Sequence, residues 1–149
     1  MAVSIRKITL WRTEVEHRPG ALADLLEPLA AAGTDLQTVM GYRIPGRKDR
    51  AVIEVAPVGT RKAARAAASA GLTPGGAPTL LVLGDNRPGL ANRIARALAD
   101  SGVNIAFLVA QVVGRRYSAV FGFESEADLD KAVDRIRTAV TSRARRYTS

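Results

Sequence analysis

Asp85-Asn86-Arg87-Pro88-Gly89-Leu90 is a polar turn that runs into an apolar helix pattern ending at Gly102, and it occurs twice. Glu16-His17-Arg18-Pro19-Gly20-Ala21 precedes a second such pattern, which ends at Gly33. Gly20 to Gly33 and Gly89 to Gly102 each span 13 positions, so the copies align at a constant offset of 69. The agreement continues past the helix, where Thr34-Asp35-Leu36 aligns with Val103-Asn104-Ile105. A Pro-Gly turn alone is a weak signal. Turn, helix and exit repeated at one spacing describe the architecture directly.

Outward from the first turn, Ile8 to Val15 alternates apolar and polar residues and reads as a strand with one covered face. Pro19 sits where a helix starts, a position that tolerates its missing N–H. Leu22, Leu25, Leu26 and Leu29 then mark one helix face, Pro28 predicts a kink or a loosened turn, and Gly33 predicts the stop. Thr34 to Arg43 and Ala51 to Val58 read as strands around a basic hairpin loop, Ile44 to Arg50. Thr60 to Ala70 is helix-prone but Ala-rich, so weak docking is expected. Leu72-Thr73 supplies a short last strand, and Pro74-Gly75-Gly76-Ala77-Pro78 is a linker.

The second half replays this order. Thr79 to Leu83 is a strand, Leu90, Ile94 and Leu98 mark a helix, and Asn104 to Val113 with Tyr117 to Phe123 make a hairpin around Gly114-Arg115-Arg116. Leu129, Val133, Ile136 and Val140 mark the second helix, and the polar tail Thr141 to Ser149 is expected to fray or to add an edge strand. The expected fold is α+β: two tandem ferredoxin-like βαββαβ units, each an antiparallel sheet with its helices on one face. The expected boundaries are 1–74 and 79–149, with residues 75–78 as linker.

Composition narrows the function. The chain of 149 residues has 22 basic and 14 acidic side chains, net +8, split as 11 and 7 in residues 1–76 and again 11 and 7 in residues 77–149. The charge is therefore spread over the repeat and is not a basic tail, and it raises non-specific affinity for polyanions without naming a partner. With no Cys, disulfides and thiolate metal sites are excluded. The single His, His17, has no carboxylate cluster beside it to complete a metal site. No stretch approaches the roughly 20 apolar residues of a membrane helix. Arg6, Lys7 and Arg12 interrupt any signal-peptide core, so a cytoplasmic location is expected. Enzyme readings fare poorly: there is no nucleophile setting, no Walker loop, no G-x-G-x-x-G after a strand and no paired carboxylates in a cleft-forming loop.

A strand, then Asp-Asn-Arg-Pro-Gly-Leu, then a helix, then Gly102-Val103-Asn104-Ile105 opening the next strand resembles the ACT domain, a small-molecule sensing module of amino-acid metabolism. The second half is similar to the serine-sensing ACT domain of phosphoglycerate dehydrogenases. The chain as a whole resembles stand-alone double-ACT regulators of the glycine-cleavage-repressor kind. The resemblance implies a non-catalytic protein that holds a small amino acid at an interface between ACT units, as a homodimer, and signals to an enzyme or transcription regulator. No cofactor is implied. By position, the contacting side chains would be Asn86 and Asn104, with Arg87, Pro88, Gly89, Leu90 and Ile105 alongside. A further His of the serine-sensing members falls on Gly84, so that contact is absent here. In the first half the two Asn positions are His17 and Asp35, beside Arg18, Pro19, Gly20 and Leu36, a different chemistry.

The residue types suit the ligand. An amino acid needs acceptors for its ammonium and donors for its carboxylate, and an Asn side chain carries both. A helix start adds N–H groups and a partial positive charge. Gly89 leaves the backbone approachable, and Pro88 pre-orders the turn. Each feature also has a plain structural use: Arg-Pro-Gly is a good helix start, Asn104 can close a turn beside Gly102, and Asp85 and Glu16 can favour the helix dipole. Two rival classes stay open. RRM-type RNA-binding domains share the topology, and Arg115 to Phe123 faintly matches their aromatic strand pattern, although alternating Phe121 and Phe123 equally suit a core. The other rival is a ligand-free protein-interaction module.

Overall fold

A computed structural model describes residues 3–141. The chain runs β1 (Ser4–Ile8), β2 (Trp11–Glu16), α1 (Ala21–Ala31), β3 (Thr38–Arg43), β4 (Arg50–Ala56), α2 (Arg61–Ser69) and β5 (Thr73–Pro74). It continues with β6 (Thr79–Asp85), α3 (Leu90–Asp100), β7 (Ile105–Val113), β8 (Arg116–Phe123) and α4 (Glu126–Thr141). The strands make two four-stranded sheets, ordered β3-β4-β2-β5 and β1-β6-β8-β7. The result is α+β, a double ferredoxin-like arrangement, as the repeat predicts.

One placement differs from the sequence reading. Ile8 to Val15 is not a single strand: the chain breaks at Thr9-Leu10, with Leu10 buried, and β1 belongs to the second sheet, beside β6. Two compact units follow: residues 8–76, and residues from 77 onward together with the segment before Ile8. Alternation reports which face of a strand is covered but not which sheet pairs it, so this crossing leaves no periodic trace. In a βαββαβ unit the fourth strand lies beside the first. β5 fills that place in the N-terminal unit, and β1 fills it in the C-terminal unit. Of the tail read as Thr141 to Ser149, Thr141 ends α4, and residues 142–149 lie outside the described residues.

Each core forms where the periodic faces of helix and sheet meet. In the C-terminal unit Leu80, Val82, Tyr117, Ala119, Phe121 and Phe123 pack under Leu90, Ile94, Leu98, Leu129 and Ile136. Strands β6 and β7 both run antiparallel to β8, and so parallel to each other. The N-terminal core is smaller, built on Leu25, Leu29, Ile53, Val55, Ala67 and Leu72. Helix α2 contributes only Ala63 and Ala67 as buried residues, in keeping with its Ala-rich sequence, and Thr60 caps it by accepting from the Ala63 N–H at 3.0 Å. Helix α1 continues through Pro28 to Ala31. Its first apolar residue, Leu22, is 44% exposed and not part of the core, because the sheet beneath it carries only small side chains at Gly41 and Ala51. The loop residues Thr34 to Gln37 precede β3, so that strand starts later than the apolar pattern suggests.

Candidate functional site

Both turns are built by equivalent hydrogen bonds, with every donor at the offset of 69 and the hairpin acceptor at 66 because the second hairpin loop is shorter. The Asn86 N–H donates to the Arg115 carbonyl at 2.8 Å, as His17 N–H does to Asp49 at 2.8 Å. Leu90 N–H donates to Arg87, and Ala21 N–H to Arg18; Arg93 N–H donates to Gly89, and Asp24 N–H to Gly20. Gly89 and Gly20 stand at the helix entrance with φ of 83° and 87°. That left-handed conformation costs a residue with a Cβ about 1–2 kcal/mol. Neither helix has a side-chain cap at its start: the turn carbonyls of Arg18 and Arg87 take the Ala21 and Leu90 N–H groups, and no side-chain oxygen caps the rest of the first turn. The chain thus carries two copies of one anion-friendly scaffold.

Side chains then make the copies different. In the C-terminal turn Arg116 bonds Asp85 at 2.9 Å, which fixes the hairpin against the strand end and leaves the exposed Asn86 beside the helix start. In the N-terminal turn Arg18 bonds Asp24 at 2.8 Å and lies 3.9 Å from Glu16. The Asp24 hydrogen bond, with its charge, pushes the Arg18 guanidinium further above its usual value. Arg18 is therefore already matched, and His17 is exposed beside it.

Asn104 and Ile105 follow the far end of α3, and Asp35 and Leu36 follow the far end of α1. Each helix has 11 residues and so extends about 16 Å. Within one unit, then, the structure does not bring Asn86 to Asn104, nor His17 to Asp35. Each pair can share a ligand only if its members come from different units. Asn104 is exposed and opens β7.

Strand β7 is the outer strand of its sheet, and its sequence from Ile105 to Val113 holds no charge. Leu108, Val109, Val112 and Val113 are 47–66% exposed. Uncharged, extended edges of this kind invite pairing with another strand. By contrast, the rings that an RNA-binding reading would need on the surface are in the core: Phe121 is 2% exposed, Phe123 is 0% and Tyr117 is 4%. Phe121 and Phe123 stack on each other with centroids 6.3 Å apart. The structural reading of that motif holds, and base stacking on it is ruled out.

His17 and Arg18 of the predicted first turn border a hollow of about 320 Å³ in the N-terminal unit, between the start of α1 and strands β3 and β4, whose strand walls the sequence reading missed. Gly41, Leu22, Arg43 and Ala51 are among its walls. Comparing the repeats position by position would have pointed to it, since Gly41 and Arg43 align with Ala110 and Val112. A buried carboxylate nearby is already accounted for: Glu54 lies 3.9 Å from Arg12 and accepts from the Tyr42 hydroxyl at 3.3 Å. Burial, and next the Glu54 charge, push the Tyr42 phenol up. Among the described residues no group of three His, Cys, Asp or Glu could hold a metal, and no helix is long and apolar enough to cross a membrane.

Comparison with known proteins agrees with this geometry. Residues 78–140 match the ACT domain family. That match spans nearly all of the C-terminal unit, and the N-terminal unit repeats its fold, so a tandem ACT-like architecture is supported. A protein from Bacteroides thetaiotaomicron superposes with a TM-score of 0.72 at 17% identity, over 89% of this chain and 88% of that one. The regulatory subunit of aspartate kinase from Thermus thermophilus superposes with a TM-score of 0.60 at 16% identity, over 93% of this chain and 97% of that one. Its counterpart from Thermus flavus gives 0.56 at 17%, over 94% and 97%. No curated protein matches the chain in sequence.

Proposed function

We propose that this chain is a non-catalytic regulatory module that binds a small amino acid between ACT units and signals to a partner protein. The observation that carries the reading is strand direction. Because β6 and β7 are parallel, the Asn86 turn and the C-terminal end of β7 lie at the same end of the sheet. If two copies pair antiparallel through β7, the start of the second β7 arrives at that end and delivers its Asn104 to the first copy's Asn86. The apolar, uncharged edge supports such a two-fold pairing, a closed assembly in which each site is completed by the other chain. Asn86 and Asn104 would then divide the ammonium and carboxylate between them, with the start of α3 as the anionic group's second contact. Ligand would bias the partner by its differential affinity for the two arrangements of the dimer. The regulatory subunits of aspartate kinase, with which the chain shares its fold, are consistent with this role.

The test is a thermal-shift screen against the twenty amino acids. A ligand at 100 times its Kd stabilises by about 2.7 kcal/mol, which raises the Tm of a chain this size by about 5–10 °C. Asn86→Ala and Asn104→Ala each remove a hydrogen bond to a charged group, worth about 1.5–3 kcal/mol or about 10- to 150-fold in affinity. Leu108→Lys on the β7 edge should convert dimer to monomer in sedimentation velocity and weaken the same ligand. Full affinity in both Asn variants would sink this reading.

A further inference from the structure

Two side chains that stand two residues apart on β7 are held to opposite faces of the sheet. Ile105 pairs with Phe123 and packs on the core beneath the helices. Phe107 pairs with Gly122, which lies between the core residues Phe121 and Phe123 and so belongs to the other face. The Phe107 ring lies over Gly122, in the space that a Cβ there would claim. A regular strand puts residues i and i+2 on one face, so the chain satisfies both contacts only by carrying an extra residue between them. The register does shift between Ile105 and Phe107, and Ala106 is the exposed, unpaired residue of a β-bulge.

The N-terminal copy treats the same positions differently. Thr38 and Ala56 stand where the C-terminal copy has Phe107 and Gly122, so the ring and the glycine that receives it are both missing. There β3 pairs with β4 without a shift and begins at Thr38. Leu36, at the position of Ile105, reaches its core from a loop, and Asp35 lies in that loop, ahead of the strand. In the C-terminal copy the ladder runs on through the bulge to Ile105, and Asn104 is the residue next to its end.

We propose that this bulge is the device that aims Asn104, with Ile105 and Phe107 as its positioning residues. A regular ladder would bring Ala106 onto the core, throw Ile105 to the other face and turn Asn104 toward the side that α3 and α4 cover. The extra residue reverses all three, so Ile105 covers the core and Asn104 points away from it, exposed. Bulges beside functional sites re-aim side chains in this way. What Asn104 meets rests on the proposed function; where it points rests on the register alone.

The test exchanges two neighbours, Ile105→Ala with Ala106→Ile, which conserves volume but invites a regular ladder with the isoleucine on the core. The chain has no Cys, so an Asn104→Cys variant carries one thiol, and its rate with a maleimide reports where residue 104 points. In the exchanged background that rate should fall by about tenfold or more, with circular dichroism showing the fold retained. Equal rates in the two backgrounds overturn the proposal. Ile105→Ala alone removes only a half-buried side chain and decides the matter if the exchange misfolds. It too must slow the thiol, and an unchanged rate is again fatal. The second readout is the thermal shift in a mixture of the twenty amino acids at millimolar concentration. Acting through Asn104, the exchange should remove most of that shift, and remove no more of it in an Asn104→Ala background. Equal losses in both backgrounds would overturn the positioning role. No shift in the parent chain sinks the proposed function instead, and the thiol rates still decide the bulge.

Discussion

Gly122 on β8 faces Phe107 across the sheet, and the Phe107 ring lies over the place where a Cβ on Gly122 would project. Alanine there would overlap the ring at Cε1, Cδ1 and Cζ, while the backbone of Gly122 is ordinary strand and adds no strain. The ring must swing away from β8 or the two strands must part. Overpacking of this kind costs about 1–3 kcal/mol, or about 2–12 °C in Tm for a chain of this length. The reasoning is tested by a double-mutant cycle in urea. With Phe107→Ala in the background the obstruction is gone. Gly122→Ala should then be neutral, or stabilising by about 0.5–1 kcal/mol, because alanine loses less backbone freedom in a strand. A coupling energy of about 1–4 kcal/mol is therefore expected. If Gly122→Ala is equally damaging in both backgrounds, the ring is not what reserves this position for glycine.

Two further predictions concern the C-terminal unit. The Tyr117 hydroxyl is buried and has no hydrogen-bond partner among the described residues, so Tyr117→Phe should stabilise by about 1 kcal/mol at neutral pH in urea unfolding. Burial raises the Tyr117 phenol above its ordinary value, so its neutral form stabilises the fold fully below about pH 10, and that contribution is lost as pH rises through the folded value. The Phe variant should accordingly gain on the parent above about pH 10. A chain beginning at Thr9 lacks β1 and exposes the edge of β6. Losing the contacts of Val3 and Ile5 with the core should cost about 2 kcal/mol or more, read as a lower Tm and faster amide exchange in β6.

Much of the architecture was legible because it rests on local chemistry repeated at one spacing. The turns, the helix stops at Gly33 and Gly102, and the hairpins all sit where Pro, Gly and apolar periodicity put them. What escaped notice depends on partners distant in sequence. The residues of β1 carry no mark of the sheet they join. Leu22 has the spacing of a core leucine, and its exposure is decided by Gly41 and Ala51 on other strands. The uncharged run of β7, apolar but for Gln111, reads as a strand but does not announce that it lies on an edge. For the site, the residue types around Asn86 and Asn104 suggested a ligand. That they sit at opposite ends of α3 was legible too, since Asn86 precedes the helix pattern and Asn104 follows it; that β7 beyond Asn104 is an exposed edge was not.

The crossing of β1 also orders events during synthesis. Residues 8–76 have all their strands and both helices once β5 has emerged, and they can fold while the rest of the chain is still being made. β1 cannot pair until β6 follows it, more than sixty residues later. β1 thus waits through the folding of an entire unit. During that interval it is an unpaired strand, and Arg6 and Lys7 within it are the charges that discourage a wrong partner.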